Sequence, residues 1–106
     1  MDKKHILCVC EHGNNRSVTM AWLLKYVENF ETMTIGLNYH SDETKKMMFE
    51  WADVITVPED KLLLMIPEEY KHKVKFYPIG EDFYPRPFNK VLLAKAKQLM
   101  EADPIK

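Results

Sequence analysis

Only two cysteines, Cys8 and Cys10, occur in the 106 residues, and both sit on one short apolar run. They cannot build the disulfide framework that staples small secreted domains, so a reducing compartment and a cytoplasmic location are expected. Neither sign of charge dominates: 15 Lys and Arg face 16 Asp and Glu, for a formal net charge of -1. Such a balance leaves no basic footprint for nucleic acid and gives no reason to expect an acidic membrane as partner. No apolar stretch is long enough to span a bilayer, and the run after Met1-Asp2-Lys3-Lys4-His5 is too short for a signal peptide. His5, His12, His40 and His72 lack metal-ligand spacing, so neither a metal nor another cofactor is expected. No shift in composition marks a second domain. With 46% hydrophobic residues there is material for one core, and residues 1–106 are expected to form a single domain. Nothing in the composition speaks to oligomeric state.

What the sequence does contain is concentrated near its start. The apolar run Ile6-Leu7-Cys8-Val9 leads directly into Cys10-Glu11-His12-Gly13-Asn14-Asn15-Arg16-Ser17. A loop closing on itself between a strand and a helix aims successive backbone N–H groups at one point, where an anion can sit. Cys10 would lie beneath that anion as a nucleophile. Inward amides, a helix N-terminus, Arg16 and the Ser17 hydroxyl all favour a thiolate over a thiol. The Arg16 guanidinium can grip two oxygens of a phosphoryl group with parallel hydrogen bonds, which an ammonium cannot do, and Gly13 supplies the positive φ that a tight loop needs. A cysteine and an arginine at this separation also coincide by chance. The context of strand, cysteine, Gly-Asn, Arg-Ser and amphipathic helix lifts the pattern above that. Glu11, His12, Gly13, Asn14, Asn15, Arg16 and Ser17 are thus the candidate phosphate-binding residues, with His12 either at the surface or helping to attract phosphate when protonated.

Hydrophobic periodicity places strands at about His5–Val9, Met33–Leu37, Asp53–Val57 and Val74–Ile79. Helices are expected from Ser17 to about Phe30, from Asp42 to Ala52 with Ser41 or Asp42 as cap, and from Phe88 to Glu101. A further helical segment over Pro58–Lys71 is interrupted at Pro67. Strand-helix alternation predicts one α/β domain of three layers around a four-stranded parallel sheet. Ligands bind such sheets at the carboxyl ends of strands beside the topological switch, the edge on which Cys10 and Asp82 would both lie. The seven methionines, among them Met47, Met48 and Met65, read as core filler. Glu68 to Lys73 read as a solvated helix end.

The Cys10 to Ser17 segment resembles the nucleophile loop of the low-molecular-weight protein tyrosine phosphatases, which follows the first strand and reads Cys-x5-Arg-Ser. Trp51 to Val57 is similar to that family's third strand, and Glu81-Asp82-Phe83-Tyr84-Pro85 occupies the place of its general-acid loop. The resemblance implies a low-molecular-weight phosphatase-like fold and hydrolysis of phosphotyrosine or other aryl phosphates through a cysteinyl phosphate. The implied catalytic residues are Cys10, Arg16 and Asp82, with Glu81 the competing carboxyl, and the implied partners are a phosphorylated protein or a small aryl phosphate. Three departures stand out. Gly13 occupies a position where the family has asparagine, so that Asn14 or Asn15 would have to brace the loop. Glu11 puts a carboxylate at the cleft wall, where it opposes an anion unless it points away. Phe83 replaces the proline after the acid.

Two other functions fit parts of the chain. Enzyme IIB phosphocarriers of the sugar phosphotransferase system resemble it in size, in Lys3-Lys4-His5-Ile6 and in a phosphorylated cysteine at the first loop, but they do not need an arginine there. A phosphopeptide-binding module with weak turnover would keep the anion cradle alone. Tyr84 either stacks on an aromatic substrate or forms a stiff surface turn. Cys8 lies roughly 6.5 Å from Cys10 if both are on a strand, at the outer limit of disulfide geometry, and reads as a buried structural thiol. The downstream cysteines of related arsenate reductases have no counterpart after Cys10.

Overall fold

The computed structural model describes residues 3–11, 15–38, 40–80 and 88–105. Strand β1 (His5–Cys10) has no alternation of apolar and polar residues, and Ile6 to Cys10 are all buried. A strand reads this way when both of its faces are covered. It lies inside a four-stranded sheet of order β2-β1-β3-β4, with β2 at Glu31–Gly36, β3 at Val54–Val57 and β4 at Val74–Phe76, every neighbouring pair parallel. Successive side chains point to opposite faces. Ile6 and Cys8 pack with α1 (Arg16–Tyr26) and α4 (Lys90–Ala102), while Leu7 and Val9 pack with residues of α2 (Asp42–Trp51) and the short α3 (Asp60–Leu63). This is the three-layer α/β arrangement that the alternating pattern predicts. Among the described residues no helix is long and apolar enough to cross a membrane.

Element ends differ from expectation where local bonds stop a pattern. Helix α1 ends at Tyr26, short of Phe30, because Asn29 turns into the left-handed region at φ 64. The amides of Glu28 and Phe30 then bond back to the Leu23 and Leu24 carbonyls at 3.3 and 3.0 Å, satisfying the last turn. Asp53 precedes β3 rather than opening it, and is tied to His5 by two bonds of 2.8 Å, one through each backbone amide. The single interrupted helix expected over Pro58–Lys71 is α3 followed by a 3-10 helix at Glu68–Lys73, with Pro67 directly before it. Of the two candidate caps for α2, Ser41 is the one that accepts from Thr44 N, at 3.2 Å. Helix α4 starts at Lys90, not Phe88, since the Asn89 carboxamide accepts from the amides of Val91 and Leu92. Met20 and Met100 are core residues, but Met47 and Met65 are exposed. Met47 falls on the solvent side of α2, which turns Phe49 inward, and Met65 lies in the turn after α3.

The strand order reverses at β1. The chain goes outward from β1 to β2, then returns to the other side of β1 to form β3. The crevice at the carboxyl ends of β1 and β3 is where sheets of this kind hold ligands. Cys10 ends β1, and Pro58-Glu59 follow β3.

Candidate active site

Cys10 is the last residue of β1, with 1% of its surface exposed. Its carbonyl accepts from Leu37 N at 2.9 Å, which fixes the strand end against β2. Its Sγ lies 3.1 Å from Ser17 Oγ. As a thiol Cys10 donates to that oxygen; as a thiolate it would accept the hydroxyl proton. Ser17 is in the first turn of α1, whose Thr19 N bonds to Asn15 O at 3.1 Å. That turn carries no acidic side chain, so nothing on the helix itself offsets its positive N-terminal end.

Arg16 opens α1 and is fully buried. Its Nη1 donates to Glu59 Oε1 and to the Gly80 carbonyl, each at 2.7 Å. Glu59 is itself only 7% exposed. A charge taken out of water this completely needs a counter-charge, and removing one member of such a buried pair generally costs about 3–5 kcal/mol. The chain of charge continues outward. Lys61 Nζ stands 3.9 Å from Glu59 Oε1 and 3.3 Å from Glu11 Oε2. Asn38 Nδ2 donates to Glu11 Oε1 at 3.1 Å, and Asn38 N to the Glu11 carbonyl at 3.0 Å. The carboxylate that the sequence puts at the cleft wall is therefore engaged by an ammonium and an amide, which reduces its repulsion of an anion.

The residues that flank segment 81–87 both bond to the first turns of α1. Gly80 gives its carbonyl to Arg16 and its amide to the Pro58 carbonyl at 2.9 Å, and takes φ +97, which favours glycine. On the other side, Phe88 N donates to Thr19 Oγ1 at 3.0 Å, and the Phe88 ring meets Trp22 edge-on with centroids 5.9 Å apart. Glu81, Asp82 and Tyr84 lie outside the described residues, as do His12, Gly13 and Asn14.

Of the sequence candidates, the structure brings Cys10, Arg16 and Ser17 to one end of the sheet, with Asn15 and Glu11 in the same loop. Cys8 belongs elsewhere. It is closed to solvent, and burial pushes its thiol up to about 12, against a hydrogen bond with Thr56 that acts the other way. Among the described residues no three of His, Cys, Asp and Glu converge as a metal site would require. Sequence reasoning missed Glu59, Lys61, Asn38 and Thr19. Glu59 alone had a signal: an acidic residue two positions after a strand, on the edge where Cys10 ends its own strand.

The class defined by this fold and site is a parallel α/β domain with a cysteine-led loop at the topological switch. The sequence matches no protein-family model, and no curated protein matches it. Among solved structures the chain is similar to Vibrio vulnificus Wzb in complex with benzylphosphonate and to the Erwinia amylovora tyrosine phosphatase AmsI. Each is 20% identical over 94% of this chain and 93% of the other, with a TM-score of 0.62. At that identity the likeness is one of fold, and the fold is that of the low-molecular-weight tyrosine phosphatases.

Proposed function

We propose that the chain is a cysteine-dependent phosphatase acting on phosphotyrosine or other aryl phosphate monoesters, free or on a phosphorylated protein. The observation that carries this reading is the juxtaposition of a strand-terminal thiol, 3.1 Å from a hydroxyl on an N-terminal helical turn, with a fully buried arginine on the same turn. A thiolate there is a strong nucleophile, and a buried guanidinium is an electrophilic clamp that solvent does not screen. The two tyrosine phosphatase structures that share the fold support the same chemistry.

In the first step Cys10 Sγ attacks phosphorus in line, the bond from phosphorus to the leaving oxygen breaks, and that oxygen takes a proton from Asp82. In the second, water attacks the cysteinyl phosphate, Asp82 takes the water proton, the S–P bond breaks, and orthophosphate leaves with the thiolate restored. Arg16 and the amides of loop 11–17 stabilise the charge on the equatorial oxygens in both steps. The part given to Asp82 follows from the resemblance.

Arg16 also weighs against a phosphocarrier of the enzyme IIB type, which hands its phosphoryl group to an acceptor and does not need a buried guanidinium to hold it. A phosphopeptide-binding module would share the cradle and differ in turnover. The deciding measurement is hydrolysis of p-nitrophenyl phosphate by the purified chain in the presence of a chelator. Steady turnover supports the phosphatase; stoichiometric phosphorylation of Cys10 by a donor, without release of phosphate, supports the carrier.

A further inference from the structure

The Arg16 guanidinium has five N–H donors in a planar fork, of which the two on Nη1 are committed to Glu59 Oε1 and the Gly80 carbonyl, each at 2.7 Å. A two-point grip on an oxyanion therefore falls to the opposite edge, Nε and Nη2, whose N–H bonds run parallel. Two acceptors on one nitrogen fix both the position of that corner and the plane of the group. Full burial of Arg16 removes solvent as an alternative acceptor. Gly80 alone could satisfy one N–H of Nη1. The carboxylate adds what a carbonyl lacks, a charge that offsets the desolvation of the arginine.

That same charge sits close to where an anion must bind. Lys61 Nζ, shared between Glu59 at 3.9 Å and Glu11 at 3.3 Å, puts a cation between the two carboxylates. Glu11, Lys61, Glu59 and Arg16 thus alternate in sign along one chain of contacts, two carboxylates against two cations. A carboxylate placed here for its charge alone would oppose anion binding; one placed to aim the fork assists it.

We propose that Glu59 is the positioning residue of the anion site: it holds Nη1 so that the Nε/Nη2 edge of Arg16 faces the oxyanion above Cys10, with Lys61 balancing its charge. This rests on the phosphatase reading for its consequence in turnover, but not for its consequence in binding. Glu59→Ala and Glu59→Gln remove the same charge, and only glutamine keeps an oxygen within reach of Nη1.

The test measures kcat/KM for p-nitrophenyl phosphate and, by calorimetry, the affinity for orthophosphate. Glu59→Ala is expected to lower kcat/KM by about a hundredfold, the scale of losing one oxyanion donor, and to weaken orthophosphate binding. Glu59→Gln should recover most of both. If alanine and glutamine behave alike, or if both bind orthophosphate as tightly as the wild type or more tightly, Glu59 acts through charge and the inference is overturned. Should Glu59→Ala fail to fold by circular dichroism, Glu59→Asp, which keeps the charge but draws the carboxylate back from Nη1 and is expected to lose activity, is compared in the wild-type and Arg16→Lys backgrounds. A residue acting through Arg16 loses its effect once the fork is gone, whereas equal losses in both backgrounds overturn the proposal. A wild-type protein that binds orthophosphate but turns over no ester ends the phosphatase reading alone, and the binding measurements still decide Glu59. If the wild type binds no orthophosphate, both fall.

Discussion

Cys8 and Cys10 stand two residues apart on the same face of β1 and are equally closed to solvent, at 0% and 1% exposure, yet one lies within the sheet and the other at its end. Around Cys8 the ladders to β2 and β3 occupy the backbone, through Thr34 and Thr56, and the side chain packs with Ile6, Leu24 and other core residues. Burial there penalises the thiolate, and a negative Cys10 adds to the penalty. Cys10 has outrun the β3 pairing, which extends only from Ile6 to Cys8, so the chain is released to turn into the loop and into α1. Burial beside apolar groups makes a thiol inert, whereas the proposed function asks of Cys10 a thiol kept reactive by a hydroxyl and a helix N-terminus. The difference arises from where the strand ends.

The sharpest way to break this comparison is to remove each sulfur in turn. Cys10→Ser should lower p-nitrophenyl phosphate turnover about a thousandfold or more, as loss of a nucleophile does in enzymes generally, while orthophosphate binding persists. Cys8→Ala should retain turnover and lose thermal stability. Turnover of Cys10→Ser within tenfold of wild type would remove Cys10 from the nucleophile role.

Next in size is the acid that the strand-end site needs and the core site does not. As general acid, Asp82 should contribute on the order of 10²–10⁴-fold when the leaving group is poor and much less when it is stable as an anion. Asp82→Asn is therefore expected to damage phenyl phosphate hydrolysis more than that of an activated aryl phosphate, and to flatten the alkaline limb of the pH profile. Should Glu81→Gln show this leaving-group dependence instead, the acid is Glu81.

Arg16→Lys tests whether the end of the sheet needs a fork or only a charge. An ammonium cannot serve Glu59, Gly80 and an oxyanion in one plane, so activity should fall by roughly a hundredfold. Near-wild-type activity with lysine would mean that loop 11–17 is not the phosphate cradle described above.

The smallest effect belongs to Cys8. Its thiol rises from 9.0 to about 12 in the folded protein. Below about pH 9 folded and unfolded chains both hold the proton; above it the unfolded chain releases the proton first. The stability from this group is therefore present at neutral pH and is lost as pH rises toward 12. Tyr77, pushed up to about 12 mainly by burial and then by Asp103, acts in the same direction. Denaturant midpoints near pH 8 and near pH 11 should differ less in Cys8→Ala than in the wild type; an unchanged difference would show that Cys8 ionises as easily folded as unfolded.

Much of the architecture was legible in residue order. The unbroken apolar run Ile6 to Val9 specifies a strand covered on both faces, alternation specifies a parallel sheet, and Ser41, one of two candidate caps, has a side chain suited to the start of α2. The Cys10 to Ser17 spacing likewise identifies a strand-loop-helix turn, because a local backbone path depends on local residues. Boundaries at Tyr26 and Phe76 were less legible, since they depend on when a hydrogen bond closes the helix or a ladder runs out. The partners of the site could not be read at all. Glu59 is 43 residues from Arg16 and Gly80 is 64 residues from it, and no periodicity links them. Only the reversal of strand order at β1 brings the chain after β3 beside the chain after β1. The sequence by itself determined that a thiol would end a strand and that an arginine would open the helix after it. The tertiary structure decided which carboxylate faces that arginine, because a buried guanidinium takes its counter-charge from whatever the fold places within reach.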